Sequence, residues 1–128
     1  MISETKSGRK TEVLYSFYRM DDGSCLAFFE APDMEFEFKR QHDYDLHIAL
    51  EVDQAELEKK FAEGKARGIE TRGVSNHGFI HSIYFRDPNG YVIELTAKAA
   101  GHDRAMDPKK NGAREKLERW TKHRKAAG

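Results

Sequence analysis

The sequence predicts an α+β fold built from a repeated unit, and three observations carry that prediction. Residues 44–52 alternate between apolar and polar side chains, and a segment with its own helix start and stop signals follows. A strand-turn-strand signature closes the unit: His81-Ser82-Ile83-Tyr84-Phe85-Arg86-Asp87-Pro88-Asn89-Gly90-Tyr91-Val92-Ile93-Glu94-Leu95-Thr96. A weaker copy of that signature stands 67 residues earlier.

Met1 to Thr5 reads as a short strand ahead of a Ser7-Gly8 turn. Thr11 to Met20, with Val13, Leu14, Tyr15, Phe17 and Tyr18, is a β-branched and aromatic strand. Asp21-Asp22-Gly23 turns the chain, and Cys25 to Phe29 returns. Pro32 ends this partial first module, residues 1–32. Residues 33–43 are a polar linker in which Phe36 and Phe38 are placed to anchor it to a core.

A complete module spans 44–97. In its opening strand, Tyr44 to Val52, the side chains Leu46, Ile48, Leu50 and Val52 share one face and His47, Ala49 and Glu51 the other. Asp53 has the form of a helix N-cap with Glu56 three residues on. The helix predicted over Gln54 to Arg67 carries Leu57 and Phe61 at helical spacing and the helix-favouring Ala62 and Ala66, and Gly68 ends it. Ile69 to Arg72 is a short strand, Gly73 to Gly78 a loop, and the hairpin completes the order strand, helix, strand, strand, strand. Its Asp87-Pro88-Asn89-Gly90 turn suits a chain reversal, because Pro presets φ and Asn-Gly tolerates positive φ.

Residues 98–128 form a basic tail. Asp107-Pro108 predicts a helix start, and Ala113, Leu117 and Trp120 give it a narrow apolar stripe up to Ala126. Lys109 to Gly128 carry eight basic against two acidic side chains, so the tail is +6 and the remainder −6. The expectation is that Leu117 and Trp120 dock this helix on the acidic body.

Aligning Tyr18-Arg19-Met20-Asp21-Asp22-Gly23-Ser24-Cys25-Leu26-Ala27-Phe28 with Phe85 to Leu95 makes aromatic, Arg, turn, Gly and strand coincide. The chain therefore reads as paired βαβββ modules, the first incomplete, plus a C-terminal helix. At the position of Glu94 the first module has Ala27. A carboxylate in the middle of an apolar strand needs a partner or a reason, which makes Glu94 the first candidate for chemistry.

The chain has 128 residues, 38% hydrophobic and 34% charged, enough for one small core. With 22 basic and 22 acidic residues, no overall field draws it to nucleic acid or membrane. No apolar run reaches a membrane span, and the first residues lack a signal-peptide core, so a cytoplasmic location is expected. The single Cys25 has no internal disulfide partner and is expected as a small buried strand residue.

His47 in the opening strand, the helix, the hairpin over Ser82 to Gly90 and Glu94 in its last strand together resemble the vicinal oxygen chelate superfamily, which includes glyoxalases, extradiol dioxygenases and bleomycin-type resistance proteins. The resemblance covers Tyr44 to Thr96 well and Thr11 to Ala31 more weakly. It implies that the paired modules form a cupped mixed sheet with a divalent metal on the concave side, held by His47 and Glu94. Glyoxalase-like members draw two ligands from each module. Ala27 removes one carboxylate, and Glu30 lies on the opposite face, so the pattern is closer to the two-His, one-Glu triad of extradiol dioxygenases with Fe(II); Mn, Zn or Ni are the other metals implied. The second His belongs to an opening strand that the first module lacks. A partner chain could supply it, or two copies of His47 and Glu94 could meet across a homodimer axis.

Extradiol dioxygenases carry a Tyr ten residues before the metal Glu, as Tyr84 stands to Glu94, and a His on the loop ahead of that strand, which here is His77. The resemblance thus implies Tyr84 and His77 as catalytic residues, acting on a catechol-like aromatic substrate with dioxygen. A glyoxalase-like isomerase or lyase acting on a vicinal-oxygen substrate, and a non-catalytic resistance-type binding protein, are the alternatives. His81 alternates away from Tyr84 and is expected to be structural. His42, His102 and His123 are expected to face solvent.

Overall fold

The structure is a computed structural model that describes residues 2–4, 8, 10–35, 37 and 42–126. The Ser7-Gly8 turn and the Phe36 and Phe38 anchors lie outside the described residues. The chain divides into two compact units, Met1–Phe38 and Lys39–Gly128.

In the first unit β1 (Ile2–Glu4), β2 (Lys10–Arg19) and β3 (Cys25–Glu30) form an antiparallel sheet in that order. In the second, β4 (His47–Glu51), α1 (Gln54–Ala66), β5 (Thr71–Asn76), β6 (Ile80–Arg86) and β7 (Val92–Lys98) follow the predicted βαβββ order. Their sheet runs β4-β7-β6-β5, with β4 parallel to β7 and the other pairs antiparallel. The α+β class is as predicted.

α1 forms where its caps are. Asp53 accepts a 2.7 Å hydrogen bond from Glu56 N, and Gly68 takes φ +68° just beyond the end. One side of the helix covers the sheet: Leu57 is fully buried with Ile83 and Ala97, and Val52, Phe61, Phe85 and Leu95 pack around them. Burying Leu57 alone contributes about 1.5–3 kcal/mol.

The two hairpins repeat each other bond by bond. Phe17 pairs with Ala27, Tyr18 with Leu26 and Arg19 with Cys25; 67 residues on, Tyr84 pairs with Glu94, Phe85 with Ile93 and Arg86 with Val92. Met20 N donates to Ser24 O at 2.8 Å and Gly23 N to Met20 O at 3.0 Å; Asp87 N donates to Tyr91 O at 2.9 Å and Gly90 N to Asp87 O at 3.0 Å. Gly23 and Gly90 take φ of +86° and +89°, which a residue with a Cβ rarely adopts. The internal repeat is therefore structural as well as sequential.

Four expectations are corrected. β4 begins at His47, because residues 43–45 form a turn closed by Asp45 N to His42 O at 2.9 Å, leaving Tyr44 exposed. β5 runs Thr71–Asn76 and absorbs most of the expected Gly73 to Gly78 loop. The chain stays paired because the register shifts between Gly73 and Ser75, where Gly73 adopts φ +119° and a Cβ would sit 2.8 Å from Ser82 O. Asp107-Pro108 starts no helix: α2 (His102–Met106) ends there, Asp107 Oδ1 accepts from Lys109 N at 2.9 Å, and α3 (Ala113–Ala126) starts only after Asn111 Oδ1 caps Ala113 N at 2.9 Å. Cys25 is exposed. Its counterpart Val92 is buried, with its N–H donating to Leu46 O at 2.9 Å at the edge that β4 covers, and the first unit has no such strand among its described residues.

The tail departs further from expectation. Every described side chain of α3 up to Arg124 is exposed, Leu117 at 64% and Trp120 at 61%, so the helix does not dock by its stripe within the second unit.

Candidate metal and proton-transfer site

Period-two alternation puts Leu95 and Ala97 on the helix side of the sheet and Val92, Glu94 and Thr96 on the other. Glu94 pairs in register with Tyr84 on β6 and with Ala49 on β4, and it is buried. His47 enters the same face two residues before Ala49. That diagonal lets its imidazole reach along the sheet, and Nε2 donates to Glu94 Oε2 at 2.7 Å. The partner that a buried carboxylate requires is thus His47.

Tyr84 stands on the other side of His47, with ring centroids 5.9 Å apart in an edge-on arrangement. Its hydroxyl shares a 2.9 Å hydrogen bond with His77 Nε2. His77 arrives there because it sits in the tight connection between β5 and β6, where its N–H donates to Ile80 O at 3.0 Å and Asn76 Oδ1 accepts from Gly78 N at 2.7 Å. The fold therefore gathers His47, Glu94, Tyr84 and His77 into one line on one open face. His77 is the exposed end and Glu94 the buried one.

Sequence reasoning missed the residues around this line. The Arg72 guanidinium lies 5.8 Å from the centre of the Tyr84 ring, near enough for a cation–π contact. Asp43 binds Arg72 at 2.8 Å and Arg86 at 2.7 Å, and Glu70 approaches both. The Arg86 hydrogen bond, then that of Arg72, holds the Asp43 carboxyl below its ordinary range, and Asp43 in turn raises the Arg86 guanidinium. The signal available was Arg86 itself, an Arg placed before a turn and repeated at Arg19; Asp43 and Arg72 carried none. Deeper in the same face the Ser82 and Thr96 hydroxyls face each other at 3.5 Å.

The other histidines divide as follows. His81 lies on the helix side, its Nδ1 3.1 Å from Gln54 Oε1, as a structural residue would. His42 and His123 are exposed. His102 is not solvent-facing as expected: it is half-buried at the start of α2, with Nδ1 3.1 Å from Asp103 Oδ1.

An imidazole and a carboxylate on one face are suitable donors for a first-row divalent metal. Among the described residues, however, no three His, Cys, Asp or Glu side chains come together. His47 and Glu94 fit a metal in kind and fall short of a facial triad in number.

No family model and no curated protein matches the chain. Among solved structures, the genomically encoded fosfomycin resistance protein FosX of Listeria monocytogenes, complexed with Mn(II) and sulfate ion, aligns over 72% of this chain and 74% of its own. The two are 24% identical, with a TM-score of 0.51. The chain has the vicinal oxygen chelate fold. A mutant of FosX complexed with Mn(II) and 1S,2S-dihydroxypropylphosphonic acid matches at 23% identity over 79% of this chain and 71% of its own. An integron cassette protein from the mobile metagenome of the Halifax Harbour sewage outfall matches at 22% identity over 65% and 67%. Both stand at a TM-score of 0.47 and add nothing to the fold assignment. In this chain His47 opens β4, the first strand of the complete module, and Glu94 lies on β7, its last, and the two strands are hydrogen-bonded neighbours. No described helix is long and apolar enough to cross a membrane.

Proposed function

We propose that this vicinal oxygen chelate protein is a metal-dependent enzyme acting on a small substrate with two neighbouring oxygens, and that its reaction is extradiol-type opening of a catechol-like ring by dioxygen. The observation that carries the proposal is the line His77, Tyr84, His47, Glu94: an acid–base pair set beside a pair of metal donors on one open sheet face.

His47 Nε2 and Glu94 would hold the metal. A divalent ion bound there would supply Lewis acidity toward the two substrate oxygens and, as Fe(II), the electrons that dioxygen chemistry needs. Tyr84 donates its hydroxyl to a substrate oxygen. His77, exposed and 2.9 Å behind that hydroxyl, takes up the proton that leaves the substrate and returns it when the ring opens. Arg72, stacked over the Tyr84 ring and tethered by Asp43, keeps that ring from turning away. Two donors are too few for one metal, so a second copy of the chain would supply a further His, completing three donors and leaving positions open for the two substrate oxygens and dioxygen.

Anaerobic reconstitution with Fe(II) tests this. The expected result is about one metal per pair of chains, lost in Glu94→Ala, with oxygen uptake on adding catechol. No retained metal in either protein overturns the proposal.

The likeness to FosX, a resistance protein whose structure contains Mn(II), favours a second reading in which the same residues serve a lyase- or isomerase-type or binding-only resistance protein. Metal retention with Mn(II) and no oxygen uptake on any catechol selects it.

A further inference from the structure

The internal repeat exposes a missing layer in the first unit. At the constant shift of 67 residues, the helix-side residues Ile83, Phe85, Leu95 and Ala97 correspond to Ser16, Tyr18, Phe28 and Glu30. In the second unit that face is sealed by Leu57 and Phe61 of α1. The first unit has no helix among its described residues, and the face lies open, with Tyr18 64% and Phe28 43% exposed and Leu14 beside them. Two aromatic rings stacked edge-on at 5.5 Å on a water-facing sheet form an apolar patch that asks for a cover.

A helix of the required kind is equally unpartnered. α1 meets its sheet along Leu57, Phe61 and Gly64, spaced four and three; α3 presents Ala113, Leu117 and Trp120 at the same spacing, all exposed. A 14-residue helix is marginal in water without a surface to pack on. Charge matches as well. α3 carries six basic and two acidic side chains, whereas residues 1–38 carry four basic and eight acidic. The acids Glu12 and Glu30 flank Leu14, Tyr18 and Phe28 on the open face, and Lys116 and Arg124 flank the α3 stripe.

We propose that α3 of one chain packs on the open β2–β3 face of a second copy, taking there the place that α1 has in the complete module. The contact is reciprocal in a twofold pair, so it is made twice. It uses none of His47, Glu94, Tyr84 or His77 and needs no metal.

The test uses the full chain, freed of metal with chelator so that no shared metal site can hold a pair, in light scattering and sedimentation, with Trp120, the single tryptophan, as probe. The wild type is expected to be a dimer that chelator and Glu94→Ala leave intact, that high salt weakens, and whose tryptophan emission moves to the red on dilution. Leu117→Glu with Trp120→Glu should weaken the dimer about 30-fold or more, with unchanged near-UV circular dichroism from the tyrosines. Tyr18→Ser with Phe28→Ser should do the same. Mixing the two variants keeps one α3 and its intact target face, so a heterodimer should form although neither variant dimerises alone. A wild type that is monomeric at every concentration, including one with shielded Trp120, overturns the proposal. So does a metal-free dimer that survives the α3 variant, or a metal-free mixture that stays monomeric. A dimer lost with chelator but kept in the α3 variant would support the shared metal site and sink this one.

Discussion

Glu94 is buried against His47 with an N–O distance of 2.7 Å, so a substitution there acts on stability as well as on chemistry. Glu94→Ala leaves the His47 Nε2–H without its acceptor and should cost about 1–3 kcal/mol, read from urea unfolding of the metal-free protein. His77 is exposed and touches the line only through the Tyr84 hydroxyl. His77→Gln should therefore leave stability and metal content unchanged while turnover falls about 10²–10⁴-fold, the usual contribution of a proton-transfer group. Steady-state kinetics beside metal analysis decides it, and unchanged turnover would remove His77 from the mechanism.

At the scale of elements, α1 is the wedge that holds the second unit together, and Leu57 is its centre. Leu57→Ala should cost about 2–5 kcal/mol, measured by denaturant midpoint, and the loss should spread to the His47–Glu94 pair because β7 carries both Ala97 under the helix and Glu94 on the other face. β5 depends on one residue in another way. Gly73→Ala places a Cβ 2.8 Å from a backbone oxygen at φ +119°, so it should destabilise β5 and displace Arg72 from the Tyr84 ring. Hydrogen exchange should show that loss first in β5 and the β5–β6 connection that presents His77, with α1 protection retained.

Across the whole molecule, charge is balanced in total and segregated along the chain. Asp43 hydrogen-bonds two arginines of the second unit, and its carboxyl is held low by them. A depressed folded-state value means that the stabilisation is fully present above 3.8, the ordinary aspartate value, and is lost as pH falls below it through the folded-state value. Asp43→Asn should flatten the acid limb of the stability profile in that window and leave neutral-pH metal binding in place. An unchanged acid limb would show that the cluster is solvated too well to matter.

Local pattern determined a great deal by itself. Alternation set the faces, so His81 was separable from Tyr84; Asp53 and Gly68 bounded α1; and the Asp87 to Gly90 turn fixed a register that its counterpart at Met20 to Ser24 repeats. These are properties of residues near in sequence, where period and turn geometry decide. Contacts between distant segments were decided only by the tertiary structure. His47 meets Glu94 because β4 inserts parallel beside β7, and His77 meets Tyr84 because β5 stays paired through a bulge at Gly73. Asp43 reaches Arg72 and Arg86 from a turn with no periodic signal. Burial was decided there too: Cys25 and the α3 stripe carry apolar patterns of core residues and stand exposed, because a pattern states which face seeks a partner, and only the assembled chain shows whether one is present.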